Sequence, residues 1–219
     1  MKLAESNPPV SADPLCDNSV VEESLEWFTK SPEYEMWINN KDGASLWLHG
    51  RPCDGKTFTA AYILKSLGSR YLYTKKRDVV SIFCSSDDSE IGLVTSLAFQ
   101  LIRKNKYRAQ VAQEEMPITN ILKGKQADQE FKQTMWELLE ILFLVGPNYE
   151  AVIIIAGIDK LSLSTRSSFL NNFLELQKTV QGCATIWVLM SSRTYPDIEK
   201  ALTHYSSIEK DKERKGKHL

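Results

Sequence analysis

Eight consecutive residues carry the sharpest chemical signal in this sequence: Gly50-Arg51-Pro52-Cys53-Asp54-Gly55-Lys56-Thr57. They satisfy G-x-x-x-x-G-K-[ST] at every fixed position, the spacing of a loop that cradles phosphates. Gly50 and Gly55 allow backbone torsions and a close approach that side chains would block. The amides of such a loop turn inward toward phosphate oxygens. A helix opening at Lys56-Thr57 would add the positive end of its dipole. Lys56 would bring a mobile charge to the β- and γ-phosphates, and the Thr57 hydroxyl could ligate Mg²⁺. Gly50, Arg51, Pro52, Cys53, Asp54, Gly55, Lys56, Thr57 and Phe58 are therefore the candidate nucleotide-binding residues. Asp54 sets a carboxylate in a loop built for anions and is expected to point to solvent. Cys53 is either a reactive thiol near a helix N-terminus or, the plainer reading, an inert loop cysteine.

Two further elements bear on the same chemistry. An apolar strand ending in a Mg²⁺-binding Asp is expected, and Val152-Ile153-Ile154-Ile155 supplies the strand. Ala156 follows it, however, and the next acid is Asp159. Alanine cannot hold the water shell of Mg²⁺. Asp159 is left to coordinate through water, to stay near the γ-phosphate, or to serve as a cap or loop residue. Ser191-Ser192-Arg193 follows the next apolar run, 186–190. Groups at the C-terminal ends of parallel strands converge on the ligand crevice, so Arg193 is placed to sense a γ-phosphate; the bland alternative is a surface arginine. Asp159 and Arg193 are the candidate catalytic residues, and Thr57 and Asp159 the candidate metal ligands.

The elements that must position these residues alternate along the chain. The apolar spacing predicts strands over 45–49, 79–84, 152–155 and 185–190, and helices over 57–67, 91–102, 131–145, 166–180 and 196–205. Short strands separated by helices predict an α/β fold, a parallel sheet with helices on both faces. The continuous β-branched run at 152–155 suits a strand buried on both sides. Before this core, two short helices are expected, broken at Ser31-Pro32 and closed by a turn at Asp42-Gly43. The boundaries are a flexible leader over 1–19, a helical segment over 20–44, the phosphate-loop core over 45–206 and a tail over 207–219. The stretch 105–128 is polar and weakly patterned. Its start carries Arg103-Lys104-x-Lys106-x-Arg108, a cluster suited to a phosphate-rich partner or, more plainly, a solvated helix end.

Composition removes several classes. The 219 residues are 42% hydrophobic and 25% charged, a globular balance that excludes a disordered, collagenous or coiled-coil chain. A chain of this length buries roughly 70% of its unfolded surface and needs no disulfide or metal to hold a core. The formal charge of −1 carries no nucleic-acid footprint. Cys16, Cys53, Cys84 and Cys183 form no Cys-x-x-Cys pair, and the three histidines are dispersed, so neither a zinc ribbon nor a thioredoxin motif fits. No run reaches the ~20 apolar residues of a membrane span, and the N-terminus does not read as a signal peptide. The expected setting is cytoplasmic.

Taken together, the loop 50–57, Gly157-Ile158-Asp159 and Ser191-Ser192-Arg193 resemble the NACHT-type STAND NTPases, the signalling ATPases or GTPases of NOD-like receptors. The likeness is to fungal members, many of which carry ankyrin repeats. Glu26-Trp27-Phe28, Tyr34 and Trp37, Leu46-Trp47-Leu48-His49-Gly50, Pro196-Asp197-Ile198-Glu199 and Ile208–Glu213 look like the same group. The resemblance covers roughly residues 22 to 214. It implies a P-loop NTPase fold, ATP or GTP with Mg²⁺ as cofactors, Gly50–Thr57 as the triphosphate and Mg²⁺ site, and Arg193 as the γ-phosphate sensor. It implies a signalling switch, with a homo-oligomer or a signalling protein as partner. The family's Mg²⁺-binding Asp corresponds to Ala156 here, so the intact Walker A loop stands beside a degraded Walker B strand, and hydrolysis is expected to be weak or absent. The chain reads as the NTPase core alone, either cut from a longer receptor or a short natural protein. The rival expectation is a pseudo-NTPase, an interaction or regulatory module that no longer binds nucleotide. A small-molecule kinase on the same fold is a third, with no acceptor-site signature to support it.

Overall fold

The computed structural model describes residues 25–74, 77–115, 128–146 and 148–209. The expected leader over 1–19, Cys16, the middle of the polar stretch and the end of the tail beyond Glu209 lie outside the described residues. Residues 25–29 are helical. Ser31 then accepts a hydrogen bond from the Tyr34 amide and starts α1 (Pro32–Asn39), with Pro32 in its first turn. Proline is favoured there because its missing N–H would be unsatisfied anyway. The chain continues through β1 (Ala44–His49), α2 (Lys56–Thr74), β2 (Asp78–Phe83), α3 (Glu90–Lys104), α4 (Lys106–Glu115), α5 (Asp128–Leu144), β3 (Tyr149–Ala156), a 3₁₀ turn (Ile158–Lys160), α6 (Leu163–Val180), β4 (Ala184–Ser192), α7 (Pro196–Ala201) and β5 (Ser206–Glu209).

The five strands form one parallel sheet in the order β2-β3-β4-β1-β5. β3 is an interior strand, flanked by β2 and β4, and is buried from Ala151 to Ala156, which explains its uninterrupted apolar run. Side chains alternate across the sheet, because strand residues point to opposite faces in turn. Leu46, Leu48, Val152, Ile154, Ala156, Trp187 and Leu189 pack with Ala60, Ile63 and Leu67 of α2 and with Phe28 and Trp37. Trp47, Ile153, Ile155, Val188 and Met190 pack on the other side with α3, α5 and α6. The placement of α2 alone from among the crossover helices on its face has a topological cause. The connection from β1 runs across the sheet to the far edge strand β2, and every later connection runs back, so right-handed crossovers put them on opposite faces.

The elements differ from expectation in three places. The expected last helix, 196–205, ends at Ala201; Leu202–His204 turn, and Ser206–Glu209, the end of the expected core and the first residues of the expected tail, pair with β1 as a fifth strand. With the pattern Ser-Ser-Ile-Glu, one buried residue is too little periodicity to announce a strand. The polar stretch yields α4, which carries little apolar pattern of its own. Arg108 in it is neither a solvated helix end nor a free phosphate ligand. It is 2% exposed, donates to Leu142 O at 3.0 Å and to Asp78 Oδ2 at 2.9 Å, and lies 3.6 Å over the Tyr149 ring. Tyr149 donates its hydroxyl to the same carboxylate. This cluster ties α4 and α5 to the starts of β2 and β3, at the end of the sheet away from the phosphate loop.

Gln100 guards the edge of the sheet. Its carboxamide accepts from Ser81 N at 3.0 Å and donates to Ser81 O at 2.8 Å, imitating a neighbouring strand on β2 and blunting an edge that would otherwise invite pairing. On the same face Glu90, buried at the start of α3, accepts from Trp136 Nε1 (3.0 Å), Asn172 Nδ2 (2.7 Å) and Lys132 Nζ (3.3 Å). Burial pushes its carboxyl up, but the hydrogen bonds from Ser168, Asn172, Trp136 and Lys132 outweigh burial and hold it below the ordinary carboxylate range. A carboxyl so lowered contributes stability above its unfolded pKa and loses it as pH falls through the folded one. Glu90→Gln is therefore expected to cost about 1–3 kcal/mol near pH 7. Urea denaturation of both proteins should show the difference shrinking below about pH 4.5.

Candidate functional site

The phosphate-type loop leaves the C-terminal end of β1 and closes on the first turn of α2. β1 pairs with β4, with His49 opposite Ser192, and β4 pairs with β3, with Ala156 opposite Ser191. Since α2, which follows β1, and α7, which follows β4, lie on opposite faces, the crevice between β1 and β4 is the topological switch point of the sheet, where ligands of open α/β folds bind. The three sequence elements singled out for chemistry therefore meet at one sheet end.

Within the loop, Gly55 has φ +73° and Cys53 φ +64°. The first is easy for glycine; the second costs a non-glycine residue about 1–2 kcal/mol, strain stored at a tight turn. Lys56 is 9% exposed, and its ammonium donates to Gly50 O at 2.9 Å and Arg51 O at 2.5 Å. The loop thus curls around its own lysine. Thr59 donates to Gly55 O, fixing the first helical turn. Thr57 and Phe58 are exposed, Phe58 at 47%. Arg51, Pro52 and Cys53 are exposed as well. Asp54, expected to point to solvent, is half-buried with Oδ2 turned inside. Cys53 and Cys183 are exposed free thiols, and Cys84 is buried. Burial and the nearby Asp88 push the Cys84 thiol up to about 12, so it is protonated at neutral pH.

Ala156 ends β3 with its methyl group packed on the α2 face, 1% exposed. The side chain at this position is thus directed to the side of the sheet that the phosphate loop's helix covers. Its backbone ties neighbours together: Cys84 N donates to Ala156 O, and Gly157 N donates to Ser191 O, both at 2.8 Å. Gly157 takes φ +79°, and a Cβ there would come within 3.1 Å of Lys160, so the chain can turn sharply into the 3₁₀ segment that carries Asp159. β4 ends similarly. Ser192 accepts from Trp47 Nε1 at 2.8 Å, Trp47 stacks on His49 at 4.3 Å, and Thr194 lies 3.4 Å from His49 Nδ1.

Asp159 and Arg193, assigned separately from sequence, meet. Arg193 Nε donates to Asp159 Oδ2 at 2.7 Å; the carboxylate side chain is 6% exposed and the arginine 44%. The carboxylate holds the guanidinium still more firmly protonated than usual. Behind this pair lies another that the sequence reading missed. Arg166, 7% exposed, grips Asp197 with Nε at 2.7 Å and Nη2 at 3.0 Å. Its Nη1 donates to Asp159 O at 3.3 Å and reaches Leu161 O at 3.5 Å. Asp197 stood in a string noted for resemblance, but nothing in the spacing of 31 residues announces its arginine. Among the described residues no group of three or more His, Cys, Asp or Glu side chains is arranged to hold a metal ion.

The model of the family described as "Nephrocystin 3, N-terminal" matches residues 23–193. No curated protein is significantly similar in sequence. Among solved structures, the chain is similar to the Aeropyrum pernix ORC2 protein, described as ADPNP-ADP complexes, with TM-score 0.50 and 11% identity over 93% of this chain and 50% of that one. It is also similar to a chain of Drosophila ORC bound to AT-rich DNA and Cdc6 (TM-score 0.47, 14% identity, 88% of this chain and 55% of that one). A third is Cdc6p from Pyrobaculum aerophilum (TM-score 0.43, 14% identity, 93% and 47%). At these identities the likeness is one of fold, and the chain spans about half the length of the solved chains it matches. The family match and the likeness to the first of these structures agree with the parallel sheet and its loop on a P-loop NTPase fold.

The two arginines should differ in what they contribute to folding. Arg166→Ala is expected to cost about 3 kcal/mol, because it strands Asp197 and two carbonyls beside a buried position. Arg193→Ala also takes a partner from a carboxylate that is 6% exposed, but the 44%-exposed arginine side chain leaves space that water can fill, so it should cost less, about 1–2 kcal/mol. Chemical denaturation of the two variants against the parent protein checks the order.

Proposed function

This chain belongs to the nephrocystin 3, N-terminal family, and from that premise we propose that it is a nucleoside triphosphate-binding switch with weak or no hydrolysis. The observation that carries the proposal is the loop itself. It joins the end of β1 to the first turn of α2 at the switch point, with Lys56 held over it by two of its own carbonyls. A phosphate chain fits there on charge and shape. The Lys56 ammonium would exchange carbonyl partners for phosphate oxygens, and the loop amides and the helix N-terminus would take the remainder. ATP or GTP is the ligand class. A tightly held resident metal does not fit equally well. Thr57 offers an exposed hydroxyl, but the Ala156 position offers a methyl group, and Asp159 is engaged by Arg193. A Mg²⁺ ion would draw most of its ligands from phosphate and water.

In the switch reading, Arg193 exchanges Asp159 for a γ-phosphate, and that exchange favours one conformation of the segment after β4. The setting suggested by the resemblance to NOD-like receptors is signalling in the cytoplasm, with a second copy or a signalling protein as partner. The buried Ala156 favours a second reading, a pseudo-NTPase acting as an interaction module.

Two measurements separate these readings. Thermal unfolding with ATP, ADP and GTP, with and without Mg²⁺, should raise the stability of the parent protein, by roughly 2.7 kcal/mol at about 100 times Kd. Lys56→Ala should show no such rise. If the parent protein does not move with any nucleotide, the switch reading is wrong and the interaction module stands. Ala156→Asp places a carboxylate in an apolar pocket, so it should destabilise the nucleotide-free protein by about 1–3 kcal/mol. Nucleotide with Mg²⁺ should restore more stability to it than to the parent, and measurable phosphate release should appear.

A further inference from the structure

Arg166 and Asp197 lie outside the phosphate-type loop, yet their fork is the most completely bonded ion pair near the site. All three nitrogens of the guanidinium are used: Nε and Nη2 on the two oxygens of Asp197, and Nη1 on the carbonyls of Asp159 and Leu161. The side chain is 9% exposed and that of Asp197 30%. The Tyr195 ring lies 5.1 Å from the guanidinium. Bidentate pairs of this kind fix geometry as well as energy.

The position of this fork distinguishes it from simple glue. Its donors land on two segments, the turn after β3 and the segment after β4, and each of those segments carries one half of the Asp159–Arg193 pair. Asp159 is held from both sides, its carbonyl by Arg166 and its carboxylate by Arg193. Arg193 and Asp197 lie four residues apart on one segment, with Pro196 between them stiffening the backbone. The separation of Asp159 from Arg193 is therefore set by Arg166 from behind.

We propose that Arg166 is a positioning residue that, through Asp197 and the Asp159 carbonyl, sets the reach of Arg193 and so the discrimination between nucleoside triphosphate and diphosphate. The inference rests on the reading of Gly50–Thr57 as a phosphate loop and of Arg193 as its γ-phosphate sensor. A loosened fork leaves the loop amides and Lys56 in place, so diphosphate binding is kept. The turn and the arginine then lose their fixed spacing, and the part of the affinity that belongs to the γ-phosphate falls.

The test is calorimetric titration of the full chain with ADP and with a non-hydrolysable ATP analogue, for the parent protein, Arg166→Lys and Asp197→Asn, with thermal unfolding of each. Arg166→Lys keeps the charge and loses the fork, and Asp197→Asn keeps the shape and loses the charge, so both are milder than truncation. The parent protein should prefer the triphosphate. Each variant should lower that preference about 5–10-fold while ADP affinity stays within about twofold. Added to Arg193→Ala, Arg166→Lys should lower the preference no further, because a residue acting through another is not additive with it. Variants that lose thermal stability but keep the parent's preference would make the fork purely structural and overturn the proposal. So would an additive effect in the double variant. A parent protein that binds neither nucleotide would instead overturn the phosphate-loop reading, and one that binds both equally would overturn the sensor reading; each takes the inference down with it and is visible without any variant.

Discussion

The pairing of β1 with β4 is the constraint on which the site depends. The two strands are far apart in the chain, yet they run side by side in register from Ala44 opposite Trp187 to His49 opposite Ser192. That register puts the loop after His49, the turn after Ala156 and the segment after Ser192 at one end of the sheet. The pairing is held from both faces. Leu46, Leu48, Trp187 and Leu189 pack under α2, while Trp47, Val188 and Met190 pack under the helices opposite. Trp47 adds a directed contact, donating its indole N–H to Ser192. A one-residue slip would turn each of these side chains to the wrong face.

From that pairing the electrostatics of the site follow as a sequence of exchanges. Lys56 donates to the carbonyls of its own loop, Arg193 pairs with Asp159, and Arg166 pairs with Asp197 and donates to the turn. Each of these three cations thus has a partner within the fold. The partners differ in how easily they are given up. Lys56 holds two carbonyls and the Arg193 side chain is 44% exposed, whereas the Arg166 side chain is 9% exposed and bound to both oxygens of Asp197 and to two carbonyls, all of which its loss would strand. That gradient, loose toward the loop and tight behind it, suits a site in which one part moves against a fixed frame.

Much of this frame was legible in the chain. The four core strands show as apolar runs because a parallel sheet covered on both faces must be apolar throughout, and the loop shows because its torsions and chemistry demand particular residues at fixed spacing. β5 did not show, since an edge strand with a single buried residue has no period to detect. α4 did not show either, because its place depends on Arg108 reaching Asp78 and Tyr149, not on an apolar stripe. Arg108 and Glu90 illustrate one general point: a charged residue reads as solvated until its partners, 30 to 82 residues away, are known.

By itself, then, the sequence determined the α/β class, the alternation of strands and helices, the phosphate-type loop and the alanine where an aspartate was expected. These are local facts, fixed by residue type and by periods of two and 3.6. Only the tertiary structure decided that Asp159 and Arg193 are partners, that Arg166 braces them through Asp197, and that Asp54 turns inward. Those facts depend on which strand ends lie side by side, and strand order is set by long-range pairing and crossover handedness, which leave no mark on the spacing of any one segment.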